Sequence, residues 1–228
     1  MIEDPPLLTI RRDIARPPAE LVARCKDVPT GNLVDCMDGY GALDYRIKPI
    51  DPGRAVFFGP AVTCATGPSD NLAIFGAVAQ ARPGDVVVVA ADGFTGTASI
   101  GDNLAGMARN QGAVAIVTDG LVRDLAGLDR IGLPIAARGV TPNSCVRSGP
   151  GTVGMPVIVG GVAIASGDVI VGDRDGVVVV PRARLDAVLT RLGEVRQAEA
   201  ALEAKVAAGL TVPSWIEELL GSDRIRWV

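Results

Sequence analysis

The chain has 228 residues, of which 48% are hydrophobic, and it carries a formal net charge of −4 and no histidine. This length suits one large domain or two small ones, and the apolar fraction is ample for a full core. The missing histidine excludes Ser-His-Asp and Cys-His catalysis. The acidic balance, with only two Trp, two Tyr and four Phe, disfavours nucleic-acid binding.

The four cysteines, Cys25, Cys36, Cys64 and Cys145, form no C-x-x-C pair, so a structural zinc site is not expected. The sequence has no apolar run long enough to span a membrane, and its first residues lack the pattern of a signal peptide. We therefore expect a cytoplasmic protein with no membrane contact.

Helical and strand patterns alternate along most of the chain. Residues 1–30 are predicted to form an N-terminal helical cap, with a helix over 19–25 that Pro17-Pro18 begin. Further helices are predicted over 30–38, 71–81, 104–111, 183–209 and 214–220, and strands over 60–65, 85–91, 113–118 and 134–137. Residues 125–132 are predicted to form a turn or short helix. Residues 183–228 are thus a C-terminal helix and tail.

A valine-rich region between residues 149 and 181 is punctuated by glycines, which is typical of short strands in a β-meander. Within it, residues 166–176 repeat the pattern of residues 83–93, which indicates a weak internal duplication.

Polar residues flank one predicted helix–strand unit. Gly101-Asp102-Asn103-Leu104 opens the helix, and its unpaired backbone N–H groups form a ready anion site. After the next strand, Arg123 can hold a carboxylate by two hydrogen bonds, and Asp102 and Asp124 offer oxygen ligands to a divalent cation. The pattern predicts a small anion bound beside a metal, with the glycine-rich segment 93–97 as one wall. The alternative is that Asp102 is an N-cap and Arg123-Asp124 a solvated turn.

Several motifs lie between residues 30 and 209: Gly84-Asp85-Val86, Gly101-Asp102-Asn103-Leu104, Thr118-Asp119-Gly120-Leu121-Val122-Arg123-Asp124, Arg138-Gly139-Val140-Thr141-Pro142, Gly160-Gly161-Val162, Gly167-Asp168-Val169-Ile170-Val171 and Asp175-Gly176-Val177-Val178-Val179-Val180-Pro181. In combination they resemble the family of class II 4-hydroxy-4-methyl-2-oxoglutarate aldolases, which also contains the regulator of ribonuclease E activity. The resemblance covers roughly residues 30–209.

The resemblance implies a single α/β domain over residues 1–228, an α/β/α sandwich of the swivelling phosphohistidine-domain type, assembled as trimers or hexamers. It implies Mg²⁺ or Mn²⁺ as cofactor, held by Asp124. By the same resemblance, Arg123 grips the pyruvate unit of a 2-keto acid, and the amides of the segment Gly101, Asp102, Asn103 and Leu104 hold its carboxylate. Glu199 matches a glutamate that reaches a neighbouring subunit's pocket.

The activity implied is a lyase that releases pyruvate through an enolate, by retro-aldol cleavage or by oxaloacetate decarboxylation. Arg123, Asp102 and Glu199 are the candidate catalytic residues, with a water on the metal, helped by Asp102 or Glu199, as base. Two departures stand out: Gly127 replaces an acidic residue found in many members, and the early histidine of some aldolases is missing.

Two other functions belong to different classes. One is a non-catalytic oligomeric regulator that binds a ribonuclease or another protein; the acid at position 102 favours an enzyme instead. The other, methyl transfer to a quinone, is disfavoured because the chain has no adenosylmethionine glycine loop.

Overall fold

The computed structural model describes residues 4–228, and its elements alternate as the hydrophobic periodicity predicts. The strands are β1 Leu8–Ile10, β2 Lys48–Pro49, β3 Phe57–Ala65, β4 Val86–Ala90, β5 Ala98–Ile100, β6 Ala115–Thr118, β7 Leu121–Val122, β8 Ile135–Ala137, β9 Gly139–Val140, β10 Gly151–Val153, β11 Val157–Val159, β12 Val162–Ile164, β13 Val169–Gly172 and β14 Val177–Val180. The helices are α1 Ala19–Ala23, α2 Thr30–Cys36, α3 Leu72–Gln80, α4 Asp102–Asn110, α5 Leu125–Ile131, α6 Leu185–Ala207 and α7 Ser214–Leu220.

A mixed sheet forms the centre of the molecule, with strand order β1-β10-β3-β4-β6-β8-β2. Its inner strands β3, β4, β6 and β8 run parallel, joined by the crossover helices α3, α4 and α5. The first half of β3 also pairs antiparallel with β13, which continues into β14. The α/β class is therefore confirmed, whereas the swivelling phosphohistidine-domain type stays a prediction.

The apolar core lies on both faces of this sheet. Alternate side chains of β4 point to opposite faces, and all five of its residues are buried, as the continuous apolar run predicts. Helices α3, α4 and α5 cover the face that carries Val87, and the hairpin β11–β12 covers the face that carries Val88. Helices α1, α2 and α6 pack over β13 and β14. Each buried valine contributes about 1.5–3 kcal/mol relative to an exposed one.

A small parallel sheet, β5-β7-β9, was not predicted, and it organises the candidate site. Each of its strands follows an inner strand of the large sheet along the chain: β5 follows β4, β7 follows β6 and β9 follows β8. Because the parent strands are parallel neighbours, the three short strands begin at the same edge and pair with one another. The residues that follow them therefore meet at one place.

The eleven-residue repeat in the sequence corresponds to one turn built twice. Gly84 and Gly167 have φ values of +93° and +94°, which only glycine adopts at low cost. In each turn the carboxylate of the following residue, Asp85 or Asp168, accepts a hydrogen bond from the backbone N–H three residues before it, at 2.7 Å and 2.8 Å. The strands that follow differ in direction: β4 is parallel to its neighbours and β13 is antiparallel.

The prediction for the N-terminus is wrong in part. Its first three residues lie outside the described part of the chain, and residues 8–10 form strand β1 instead of a helix, because they pair with β10 far along the chain. Only Ala19–Ala23 is helical in this segment. The predicted C-terminal helix and tail are present as α6 and α7. Within residues 4–228, no helix has both the length and the apolar character that a membrane crossing requires.

Candidate active site

The two halves of the predicted site meet at the carboxyl ends of β5 and β7. Ile100 and Val122 are register partners in these parallel strands, and the N–H of Arg123 donates to the carbonyl oxygen of Ile100 at 2.9 Å. Gly101-Asp102 follows Ile100, and Arg123-Asp124 follows Val122. The structure thus brings both polar segments together, which spacing alone could only suggest.

Helix α4 begins at this junction. Gly101 is the N-cap residue and Asp102 the first residue of the helix, so the interpretation of Asp102 as the N-cap is wrong. One carboxylate oxygen of Asp102, Oδ1, accepts a hydrogen bond from the Asn103 N–H at 2.7 Å. The amides of the first turn, those of Asp102, Asn103 and Leu104, have no backbone acceptor inside the helix, and within residues 4–228 only that of Asn103 is bonded to a side chain. The helix dipole and these N–H groups favour an anion here.

Arg123 is held on two sides. Its Nε lies 3.2 Å from Oδ2 of Asp124, and its Nη1 donates to Oγ of Ser144. Among residues 4–228 its Nη2 has no hydrogen-bond partner, so this end of the guanidinium is free to bind a ligand. The ion pair is about two-fifths exposed, which makes it weak as a source of stability. Its effect is to orient the guanidinium.

Asp124 begins helix α5 in an unusual conformation. Its φ is +65°, in the left-handed region, which an aspartate tolerates better than most residues. Its carbonyl oxygen accepts hydrogen bonds from the N–H groups of Gly127 and Leu128, at 2.8 Å and 2.9 Å. Its carboxylate makes no capping bond to the helix and stays beside Arg123 and Gly101.

Gly101 and Gly127 are required by the close approach of these segments. A Cβ atom on Gly101 would lie 2.6 Å from Oδ2 of Asp124. A Cβ atom on Gly127 would lie 2.5 Å from Cβ and 2.6 Å from Cγ of Asp102. The departure at position 127 therefore has a steric cause: in this geometry Asp102 fills the space that a side chain at 127 would take.

The site residues open onto a cavity of about 220 Å³. Gly101, Asp102, Asn103, Leu104, Arg123 and Asp124 all line it, as predicted for one binding site. Its other lining residues were not singled out from the sequence: Asn71, Phe75, Ala98, Ser99, Met107, Ser144, Cys145 and Arg147. Phe75 and Met107 lie on predicted helices, where an apolar residue is expected to be part of the core. The others lie at a helix start, in the very short strand β5 and in a loop, where no periodic signal marks them.

The glycine-rich segment 93–97, predicted as a wall of the anion pocket, does not line the cavity, whose lining on this strand begins at Ala98. Asp119 fixes this segment instead. Its carboxylate accepts hydrogen bonds from the N–H groups of Ala91 and Gly93, at 2.7 Å and 3.0 Å. Burial raises the pKa of Asp119 despite these bonds. Asp119 thereby ties the end of β6 to the segment that follows β4.

The lining residues limit the kinds of catalysis that the site can support. Burial raises the pKa of the Cys145 thiol, so this cysteine is protonated near neutral pH and is a poor nucleophile. Within residues 4–228 no group of three or more His, Cys, Asp or Glu side chains could hold a metal. Asp102 and Asp124 are two carboxylates on one cavity, which suits Mg²⁺, an ion that proteins commonly bind through one or two carboxylates, waters and the substrate.

Glu199 lies apart from these residues in the single chain. It is on α6, where its Oε2 accepts a hydrogen bond from Nδ2 of Asn32 at 2.6 Å, and it does not line the cavity. Beyond it, α6 leaves the body of the molecule with Leu202 and Val206 more than half exposed. The predicted role of Glu199 therefore stays a prediction that needs a second chain.

The fold and site define an α/β protein with a cavity at a helix N-terminus, lined by an arginine and two carboxylates. Residues 30–179 match the family model described as "RraA-like: Aldolase/RraA". The chain belongs to this family, and the suspected resemblance is confirmed.

Relatives within the family differ in the activities that their names state. A protein of Halalkalibacterium halodurans named "Putative 4-hydroxy-4-methyl-2-oxoglutarate aldolase" is 33% identical over 202 residues, covering 88% of this chain and 96% of the relative. The structure of Streptomyces coelicolor RraAS2, described as an unusual member of the RNase ES inhibitor RraA family, is 28% identical with a TM-score of 0.75, covering 83% of this chain and 100% of that one. The RNA-processing inhibitor RraA of Thermus thermophilus is 30% identical with a TM-score of 0.62, covering 68% and 93%.

Proposed function

We propose that the protein is a divalent-metal-dependent lyase that cleaves a C–C bond of a 2-keto acid and releases pyruvate. The observation that carries this proposal is the convergence of Arg123, Asp124 and Asp102 on one cavity at the start of α4. The aldolase name of the Halalkalibacterium relative supports the same reaction class.

The proposed chemistry is a retro-aldol cleavage. The C3–C4 bond of a 4-hydroxy-2-keto acid breaks, its electron pair passes to the pyruvate half as an enolate, and the C4 hydroxyl loses its proton as C4 becomes a carbonyl. The enolate then takes a proton at C3 to give pyruvate. Decarboxylation of oxaloacetate produces the same enolate with CO₂ as the second product and needs no base at a hydroxyl.

Arg123 would stabilise the charge that develops on the enolate oxygen, since its Nη2 is free while its Nε contacts Asp124 and its Nη1 contacts Ser144. The first-turn amides of α4 would bind the pyruvate carboxylate. Removing one such preorganised donor typically costs about 100- to 1,000-fold in turnover. The chain needs no lysine Schiff base for this step.

Asp124, with Asp102 beside it, would hold Mg²⁺ or Mn²⁺, and the bound cation would supply Lewis-acid stabilisation of the same oxygen. The proton of the C4 hydroxyl would pass to Asp102, or to Glu199 of a neighbouring chain. Leu202 and Val206, the half-exposed apolar residues near the C-terminal end of α6, are consistent with packing on such a neighbour in a trimer or hexamer.

The second candidate is a regulator that binds a ribonuclease or another protein. Two relatives are named as inhibitors of RNA processing or of an RNase. The exposed Trp215 and Trp227 of the C-terminal tail, at 59% and 73% exposure, give this candidate a surface of its own. A regulator of this kind would not need the arginine and carboxylates of the cavity.

The experiment is to measure pyruvate release from 4-hydroxy-4-methyl-2-oxoglutarate and from oxaloacetate with Mg²⁺. We expect turnover that a chelator and Arg123→Ala each reduce by at least about 100-fold. Arg174→Ala, in the exposed turn between β13 and β14, is the matched control and should behave as wild type. No turnover of either substrate, or turnover that ignores both the chelator and Arg123→Ala, would reject the lyase proposal. Tight ribonuclease binding by a protein that turns over neither substrate would favour the regulator.

A further inference from the structure

A second arginine lines the cavity that holds the proposed pyruvate site. The guanidinium carbon of Arg147 lies 5.3 Å from the ring centroid of Phe75, and both residues line the cavity. In the described part of the chain Arg147 forms no ion pair with an aspartate or glutamate. An arginine stacked on an aromatic face keeps its in-plane N–H donors free. The cavity thus contains a positive charge that the proposed pyruvate site does not use.

Two buried polar side chains, those of Asn71 and Ser99, line the same cavity. Asn71 and Ser99 are only 8% and 6% exposed. Within residues 4–228, Oδ1 of Asn71 and Oγ of Ser99 have no hydrogen-bond partner. A buried polar group left unpaired destabilises the folded state. The hydroxyl of Ser99 can donate to the oxygen of a ligand hydroxyl, and Oδ1 of Asn71 is a second unpaired acceptor in the same cavity.

The loop that carries Arg147 is fixed on both sides of that residue. The N–H of Val146 donates to the Ser69 carbonyl oxygen at 2.8 Å, and the Val146 carbonyl oxygen accepts from the Asn71 N–H at 3.1 Å. On the other side, the buried carboxylate of Asp70 accepts from the N–H groups of Ser148 and Gly149. The backbone of Arg147 is therefore preorganised toward the cavity although its side chain is exposed.

We propose that Arg147, Asn71 and Ser99 form a subsite for the leaving half of the substrate and select 4-hydroxy-2-keto acids whose leaving half carries a second carboxylate. Arg147 binds that carboxylate, and Ser99, which lines the cavity with Asn71, donates to the oxygen of the C4 hydroxyl, whose proton stays free for Asp102 or Glu199. This inference rests on the proposed function, because Arg123 and the α4 amides must already hold the pyruvate half. It adds the residues that determine which 2-keto acid is accepted.

The test compares two substrates that differ in the leaving half. 4-Hydroxy-4-methyl-2-oxoglutarate leaves a carboxylate-bearing ketone, and 4-hydroxy-2-oxopentanoate leaves acetaldehyde. We expect Arg147→Met to raise KM for the dicarboxylate by about 10- to 100-fold and to leave the pentanoate unchanged, with partial recovery in Arg147→Lys. Arg174→Met is the matched control. An unchanged preference in Arg147→Met would overturn the assignment.

Ser99→Ala separates the hydroxyl contact from the carboxylate contact. It should raise KM for both 4-hydroxy substrates and leave that for oxaloacetate, which has no C4 hydroxyl, at the wild-type value. It should not lower the stability of the ligand-free protein, because the lost hydroxyl has no partner among the described residues. Equal effects on all three substrates would contradict the hydroxyl assignment.

Binding measurements keep the inference testable if no substrate is turned over. 2-Oxoglutarate has the distal carboxylate that 2-oxobutyrate lacks, and calorimetry with Mg²⁺ gives the affinity of each. We expect Arg147→Met to weaken only 2-oxoglutarate. If no substrate is turned over but Arg147→Met selectively loses affinity for 2-oxoglutarate, the lyase proposal is rejected and the subsite is kept. If the wild-type protein and Arg147→Met bind 2-oxoglutarate equally well, the subsite is rejected.

Discussion

Replacing Gly127 by alanine tests the packing that brings α4 and α5 together at the site. The new Cβ would lie 2.5 Å from Cβ and 2.6 Å from Cγ of Asp102. A different side-chain rotamer moves Cγ but leaves Cβ in place, because Cβ is fixed to the backbone. One helix start must therefore shift, and the carboxylate of Asp102 moves with it.

The expected cost follows from overpacking of a tight contact, about 1–3 kcal/mol in the free energy of unfolding. For a domain of this length, that corresponds to a fall in Tm of roughly 2–12 °C. Pyruvate release should fall more steeply than stability at the assay temperature, since Asp102 is displaced from the cavity. Urea unfolding and the pyruvate assay measure the two effects.

The control is Gly193→Ala, in the middle of α6, where a new Cβ would meet nothing within 4 Å. It should stabilise the protein by about 0.5–1 kcal/mol and leave activity unchanged. In a double-mutant cycle, Asp102→Gly should relieve most of the cost of Gly127→Ala, with a coupling of about 1 kcal/mol or more. A stable Gly127→Ala protein, or no relief from Asp102→Gly, would refute the steric argument.

Three further predictions concern Gly101, which lies in the site, and two buried carboxylates, Asp70 and Asp85. Gly101→Ala places a Cβ 2.6 Å from Oδ2 of Asp124, so we expect pyruvate release to fall by about 10-fold or more with a smaller change in Tm. Burial alone would raise the pKa of Asp70, but its backbone N–H donors outweigh it and lower the pKa below the ordinary 3.8. Its contribution to stability is therefore full above that value and lost as pH falls through the folded-state pKa; urea midpoints between pH 2 and 5 should show a weaker dependence in Asp70→Asn. Asp85→Ala leaves Arg16, 15% exposed, without its buried partner at 2.6 Å, and should cost about 3–5 kcal/mol in urea unfolding.

The long elements could be predicted from the sequence because their periodicity extends over many residues. The valine run of β4 and the apolar stripes of α3 and α6 each specify one type of structure. Strands of two or three residues give no such signal. The small sheet β5-β7-β9 exists because its parent strands are neighbours, and β1 because β10 is available to pair with it.

The candidate site divides in the same way. Asp102, Arg123 and Asp124 could be proposed as site residues because the sequence pattern placed Asp102 at the start of a helix and Arg123-Asp124 after a strand. Arg147 could not, since an exposed arginine in a loop is ordinary until its stacking on Phe75 and its place in the cavity are known. The steric requirement for glycine at position 127 could not be predicted either, because it depends on the distance between the starts of α4 and α5.

The most direct test of the account is hydrogen–deuterium exchange at the methyl group of pyruvate in D₂O, followed by proton NMR. Enolate formation at Arg123 and Asp124 predicts exchange by the wild-type protein with Mg²⁺, whichever leaving half the natural substrate carries. Arg123→Ala and a chelator should each abolish it, and Arg174→Ala should not. Exchange that persists in Arg123→Ala, or a wild-type protein that exchanges no faster than buffer with Mg²⁺, would contradict the proposed enolate site.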